Sequence, residues 1–262
     1  MNLTQDVIEQ LAVHLDAAEM QNRAVHKITD DYPEMDWEDA YAIQDAIRAL
    51  KIGRGVRIAG LKMGLTSHAK MRQMGVIDPI HGFITDYGSV ADGGVIETAG
   101  LIHPKVEAEI AFVTRKPLRG PGCNVGSVLA ATDFILPAVE VIDSRYENFR
   151  FDLKSVIADN TSSARYVLGG RHRNVQGLDL KNLGVVMEKN GEIVALASAA
   201  AVLGNPAQSV AMLANMLGAQ GREIPAGTLI LTGGATEAIA VQAGDNITVR
   251  YQHLGSVSMR FV

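Results

Sequence analysis

The chain has 262 residues, of which 47% are apolar and 20% charged, enough for one large domain or a small unit joined to a larger one. With 24 Lys and Arg against 29 Asp and Glu the formal charge is −5, so the basic field that nucleic-acid binding requires is missing. The lone Cys123 excludes an internal disulfide and a CxxC motif. With no basic and apolar leader at Met1 and no run of about 18 apolar residues, the expectation is a cytoplasmic protein without membrane or nucleic-acid partners.

Apolar residues at Val7, Ile8, Leu11, Ala12, Leu15 and Ala18 predict an amphipathic helix with Thr4 available as its cap. A second helix is expected over 37–50, capped by Asp36 and stopped by Gly53. The polar segment between them, 28–36, reads as a mobile lid. Gly-punctuated apolar strands follow, predicted at 56–60, 106–113, 134–142, 184–188, 192–196, 228–231, 246–251 and 256–262. Asn190-Gly191 marks a type I′ hairpin, and Asn205-Pro206 opens a helix over 206–217. The pattern is α+β: a small helical unit over 1–70 and a β-rich catalytic domain over 71–262. Strands and long helices do not alternate, which disfavours a doubly wound nucleotide fold. The run Gly233-Gly-Ala-Thr236 matches no phosphate-loop pattern.

Alternation in Val106-Glu-Ala-Glu-Ile-Ala-Phe-Val113 places Glu107 and Glu109 side by side on one face of a strand. Glu140 is the ionisable residue of the apolar run Phe134-Ile-Leu-Pro-Ala-Val-Glu-Val-Ile142. A carboxylate buried there must be paired, protonated or bound to a metal. Three such groups on one sheet repel one another. A divalent cation relieves both costs, and all-oxygen ligation suits Mg²⁺ or Mn²⁺. The residues leave a second reading open, in which Glu107 and Glu109 line a solvated face and Glu140 meets an Arg or Lys.

Several motifs resemble the hydratase/decarboxylase branch of the fumarylacetoacetase-like superfamily. They are Gly60-Leu-Lys-Met-Gly-Leu-Thr-Ser67, Pro104-Lys-Val-Glu-Ala-Glu109, Pro137-Ala-Val-Glu-Val-Ile-Asp-Ser-Arg145, Ala158-Asp-Asn-Thr-Ser-Ser163 and the closing Ala243-Gly-Asp-Asn-Ile-Thr-Val-Arg-Tyr251. Within the branch, Thr29-Asp-Asp-Tyr-Pro-Glu-Met35, Asp143-Ser-Arg-Tyr-Glu-Asn-Phe149 and Gly184-Val-Val-Met-Glu-Lys-Asn-Gly-Glu192 resemble the decarboxylases of 2-oxo-3-hexenedioate. His81 departs from that pattern, since such relatives tend to carry Tyr at its place.

The resemblance implies a fumarylacetoacetase-like mixed β core, a homo-oligomer, and Mg²⁺ or Mn²⁺ held by Glu107, Glu109 and Glu140, with no organic cofactor. It implies metal-dependent decarboxylation of 2-oxo-3-hexenedioate in aromatic meta-cleavage catabolism, and association with the pathway's hydratase. Lys62, between Gly60 and Gly64, is the expected catalytic cation. Asn160 and Ser162 are expected donors to the substrate carboxylate, with His81 as a further binding residue, and Asp143 and Asp78 are candidates for the proton step. Three other functions remain: hydration of 2-hydroxypenta-2,4-dienoate, C–C bond hydrolysis, and a non-catalytic subunit that stabilises a partner. Burial of Glu140 argues against the last. Hydrolysis requires a His–carboxylate pair that the sequence does not display.

Overall fold

The computed structural model describes residues 1–67, 71–72, 78–169 and 172–262. Two helices open the chain, α1 (Gln5–Met20) and α2 (Trp37–Gly53). Asp36 and Asp39 form a reciprocal capping box at the start of α2, each backbone N–H donating to the other's carboxylate at 2.9 Å. The helix outruns its expected end because the left-handed residue after it is Gly55 (φ +88°), not Gly53. Asp16 of α1 accepts both guanidinium nitrogens of Arg54, at 2.6 and 2.9 Å. It also pairs with Lys51 at 3.1 Å, fixing the two helices to each other.

The segment 28–36 is packed against the body of the protein. Ile28 and Met35 are buried in the core beneath the helices. The Thr29 hydroxyl donates to Asp152, and Lys154 donates to the Pro33 carbonyl at 3.3 Å. Two apolar anchors in a nine-residue polar stretch outweigh its composition.

Thirteen strands are found among the described residues. The first seven are β1 (Ile58–Gly64), β2 (Ile80–Thr85), β3 (Ser89–Val90), β4 (Gly94–Ile96), β5 (Lys105–Thr114), β6 (Thr132–Ile142) and β7 (Ser163–Leu168). The rest are β8 (Gly184–Lys189), β9 (Glu192–Ser198), β10 (Leu229–Leu231), β11 (Ile239–Ala240), β12 (Asn246–Tyr251) and β13 (Gly255–Phe261). One mixed sheet runs β2-β1-β10-β5-β6-β7-β3 with β11 also on β5, and the other runs β4-β13-β12-β8-β9. Asn190 (φ +56°) and Gly191 (φ +85°) make the expected hairpin between β8 and β9.

Three further α-helices follow among the described residues: α3 (Val125–Ala131), α4 (Leu153–Ala158) and α5 (Pro206–Ala219). The sequence reading missed α3 and α4, which are too short to display a helical period, and β2, which is buried on both faces and does not alternate. The expected boundary near residue 70 lies outside the described residues. β1 precedes that boundary yet pairs with both β2 and β10 in the large sheet, so a division there severs a sheet strand. A large core fills the space between the sheets and α5. A second lies under α1 and α2, and Leu61 of β1 packs against both.

Candidate active site

β5 and β6 pair in antiparallel register, with Glu107 opposite Glu140 and Glu109 opposite Ala138. One face of the pair therefore presents all three carboxylates, each offering an oxygen within 4.8 Å of the others. Glu109 and Glu140 are fully buried. Glu109 accepts the Gly233 N–H at 2.7 Å on Oε2, while its Oε1 has no hydrogen-bond partner among the described residues. Glu140 does meet a lysine: Lys62 Nζ lies 2.8 Å from its Oε1. Its other oxygen, Oε2, has no hydrogen-bond partner among the described residues. Burial, then Glu140 and Glu107, hold the Glu109 carboxyl well above the usual carboxylate range. Burial also raises Glu140, with Lys62 opposing it. One ammonium does not offset the charge of three converging carboxylates, two of them fully buried, and this donor set fits a hard divalent cation.

Irregular backbone makes room for the cluster. β10 ends at Leu231, and the chain then turns through Gly233 (φ +93°) and Gly234 beside β5. A Cβ on Gly234 would stand 2.8 Å from the Glu107 carboxyl carbon, and one on Gly233 would stand 2.1 Å from Thr66 Oγ1. On the other side, Asn160, Thr161 and Ser162 form a left-handed turn (φ +47°, +51°, +58°). Such conformations cost on the order of 1–3 kcal/mol each and persist where surroundings enforce them. Here Arg145 does so: its guanidinium donates to the Asp159 carboxylate and carbonyl, to Asp143 O at 2.7 Å and to Ser163 O at 3.0 Å. The Thr161 carbonyl in turn accepts from Lys62 Nζ at 2.9 Å. Lys62 is 2% exposed and sits within β1, because the strand continues past its expected end at residue 60 to Gly64.

A cavity of about 200 Å³ opens at this point. Lys62, Thr66, Glu107, Thr161 and Ser162 line its polar side; Ile142, Phe149, Phe151 and Val156 line its apolar side. The structure thus brings Glu107, Glu109, Glu140, Lys62 and Ser162 together.

Other expected site residues are placed elsewhere. Both oxygens of Asp143 accept backbone N–H groups, from Ile102 at 2.8 Å and His103 at 2.7 Å, so this carboxylate fixes a loop, and it is not among the residues lining the cavity. The Asn160 amide is spent on Phe83, accepting its N–H and donating to its carbonyl, both at 2.9 Å, so Asn160 positions the turn. His81 is buried with its ring stacked 4.6 Å from that of Tyr41, outside the cavity lining. Asp78 is exposed, also outside the lining. Sequence reasoning missed Thr161, whose buried Oγ1 has no hydrogen-bond partner among the described residues, and Phe149, which holds a left-handed φ of +59°. It also missed the Arg145–Asp159 support, since a buried Arg–Asp pair 14 residues apart has no periodic signature.

Comparison with known proteins agrees with this geometry. A 4-oxalocrotonate decarboxylase of Pseudomonas putida is 63% identical over 260 residues, spanning 99% of this chain and 98% of its own. A 2-oxo-hept-4-ene-1,7-dioate hydratase of Escherichia coli is 40% identical over 258 residues, spanning 96% of this chain and 97% of its own. The structure of the 4-oxalocrotonate decarboxylase from Pseudomonas putida G7 complexed with magnesium and adipate superposes with a TM-score of 0.98 at 59% identity, covering 99% of both chains. The fumarylacetoacetate hydrolase C-terminal family matches residues 62–262, from the lysine beside Glu140 to the last strand. With its α+β fold, its converging glutamates and this match, the chain belongs to the fumarylacetoacetate hydrolase family.

Proposed function

We propose that this chain is a carboxy-lyase that converts 2-oxo-3-hexenedioate (4-oxalocrotonate) to 2-hydroxypenta-2,4-dienoate and CO₂ in aromatic meta-cleavage catabolism. The observation that carries the reading is 63% identity to a 4-oxalocrotonate decarboxylase over 99% of the chain. The convergence of Glu107, Glu109 and Glu140 supports it chemically. The orphaned oxygens of Glu109 and Glu140 fit Mg²⁺ or Mn²⁺, and magnesium is present in the Pseudomonas putida G7 relative. Bound by these residues, the cation supplies Lewis acidity toward a 2-oxo acid.

The chain's own residues do the rest. When CO₂ departs, its bonding electrons flow through the C=C bond to the 2-oxo group and leave a dienolate. Lys62, fixed between Glu140 and the Thr161 carbonyl, places a positive charge where that oxygen becomes anionic. Ser162 and Thr161, on the cavity wall, present hydroxyl donors for the C1 carboxylate. The wall of Ile142, Phe149, Phe151 and Val156 keeps water from the dienolate, which favours CO₂ release over hydration.

Hydration is the second reading, favoured by 40% identity to the Escherichia coli hydratase. Incubation with 2-oxo-3-hexenedioate and Mg²⁺, with CO₂ and the dienol measured separately, decides between them. Stoichiometric CO₂ is expected. No CO₂ from the diacid, with hydration of added 2-hydroxypenta-2,4-dienoate, overturns the decarboxylase reading. We also propose a homo-oligomer that associates with the pathway hydratase; light scattering of the protein alone and of the mixture tests both.

A further inference from the structure

The carboxylate that leaves must first be recognised, and the catalytic centre described above holds the other end of the substrate. β5 carries more than glutamates on its site-facing side. Alternation that puts Glu107 and Glu109 on that face puts Lys105 there too, one pleat repeat, about 7 Å, before Glu107. Lys105 stands directly opposite Ile142 of β6, which lines the cavity. Its ammonium rests 3.9 Å from the centroid of the Phe149 ring, another lining residue. A ring face attracts the charge without neutralising it, so the ammonium still attracts an anion.

A second donor stands beside it. His103 packs its ring 5.3 Å from that of Phe149, and its buried Nε2 has no hydrogen-bond partner among the described residues. The loop that carries His103 and leads into Lys105 is fixed by Asp143, which accepts the backbone N–H groups of Ile102 and His103. The mechanism uses neither His103 nor Lys105. Phe149, held at φ +59°, is the wall shared by this pair and the cavity.

From this juxtaposition we propose that Lys105, with His103 Nε2 as a second donor, forms the subsite for the distal carboxylate of the diacid and so selects diacids over monoacids. The inference rests on the decarboxylase reading for its substrate. A six-carbon diacid whose C1 end lies at the glutamates extends by about one strand repeat toward Lys105. A change of Lys105 rotamer carries the ammonium from the ring to the cavity wall at Ile142. The remaining wall is apolar, so neutral CO₂ is left there without a polar partner once the bond breaks. Lys105 is therefore a binding residue: its ion pair exists in the ground state and weakens as the charge leaves.

The test uses the full-length protein with Mg²⁺ and two unreactive probes, 2-oxoadipate and 2-oxohexanoate, which share the 2-oxo acid end and differ in the distal carboxylate. Calorimetry is expected to show the wild type preferring 2-oxoadipate by about tenfold or more. In Lys105→Met that preference disappears while 2-oxohexanoate affinity is unchanged, which also shows the site is intact. Lys105→Arg retains the preference, and His103→Phe loses part of it. With 2-oxo-3-hexenedioate, Lys105→Met raises KM and does not lower kcat. A preference that survives Lys105→Met, a wild type without preference, or a fall in kcat at unchanged KM overturns the proposal. Full preference in His103→Phe removes the histidine from the subsite. Release of CO₂ by the wild type is measured in parallel: its absence overturns the decarboxylase reading, whereas its presence with preference retained in Lys105→Met overturns the Lys105 subsite alone.

Discussion

Glu109 shows how burial and chemistry combine at a single residue. Its carboxyl is raised by burial and by two neighbouring glutamates, so protons compete with a cation for the same oxygens. Mg²⁺ affinity measured by calorimetry should therefore fall as pH is lowered, and Glu109→Gln should flatten that dependence and abolish turnover while leaving the far-ultraviolet spectrum unchanged. Lys62 is already tied to Glu140 and the Thr161 carbonyl. Lys62→Met should lower kcat by a factor on the order of 10² if the ammonium acts on the dienolate, and raise KM alone if it serves binding. His81 has a different consequence. Burial, with Arg222 adding to it, lowers its pKa from 6.5 to about 4. The unfolded chain takes up this proton near 6.5 and the folded one near 4, so stability falls by about 3 kcal/mol as pH drops through that window. His81→Phe, which keeps a ring against Tyr41, should remove that part of the acid sensitivity in urea unfolding at pH 7 and pH 4.5. An equal loss in both proteins would show that His81 is not its source.

At the scale of elements, the site depends on segments that break regular structure. The turn from Gly233 to Gly234 lets backbone lie against Glu107, and the left-handed turn Asn160–Ser162 aims a carbonyl at Lys62. Gly234→Ala would place a methyl carbon 2.8 Å from the Glu107 carboxyl carbon. The expected outcome is Mg²⁺ affinity weakened by about tenfold or more with a small change in melting temperature; unchanged affinity would mean that Glu107 has room to move. The Arg145–Asp159 pair plays the matching role on the other side, since it holds three strained residues in place. Within the same elements, the β5 alternation was legible in the sequence because a period of two needs no partner strand. The turn was not, because what enforces it comes from Arg145 in the loop after β6.

For the molecule as a whole, the helices and the sheets behave as one body. Leu61 packs into both cores, and Tyr146, Val156 and Ile157 from the catalytic half lie in the core beneath α1 and α2. Unfolding should therefore be a single transition. Trp37, the one tryptophan, lies in α2, so its fluorescence reports the helical unit while circular dichroism reports the whole chain. The two urea curves should coincide, and an earlier fluorescence transition would mean that the helices unfold separately. Among the described residues no helix is long and apolar enough to cross a membrane. Local pattern in the sequence determined the first two helices and α5, the Asp36 and Asn205 caps, the Asn190-Gly191 hairpin, the shared face of Glu107 and Glu109 and the cost of burying Glu140, because each is set by neighbours along the chain; the expected Thr4 cap makes no side-chain hydrogen bond. Tertiary structure alone decided that Glu140 faces Glu107 across two strands, that Lys62 reaches both Glu140 and the Thr161 carbonyl, and that the Asp143 and Asn160 side chains bond loop and strand backbone. Those facts depend on register and on contacts between segments up to about a hundred residues apart, which periodicity cannot encode.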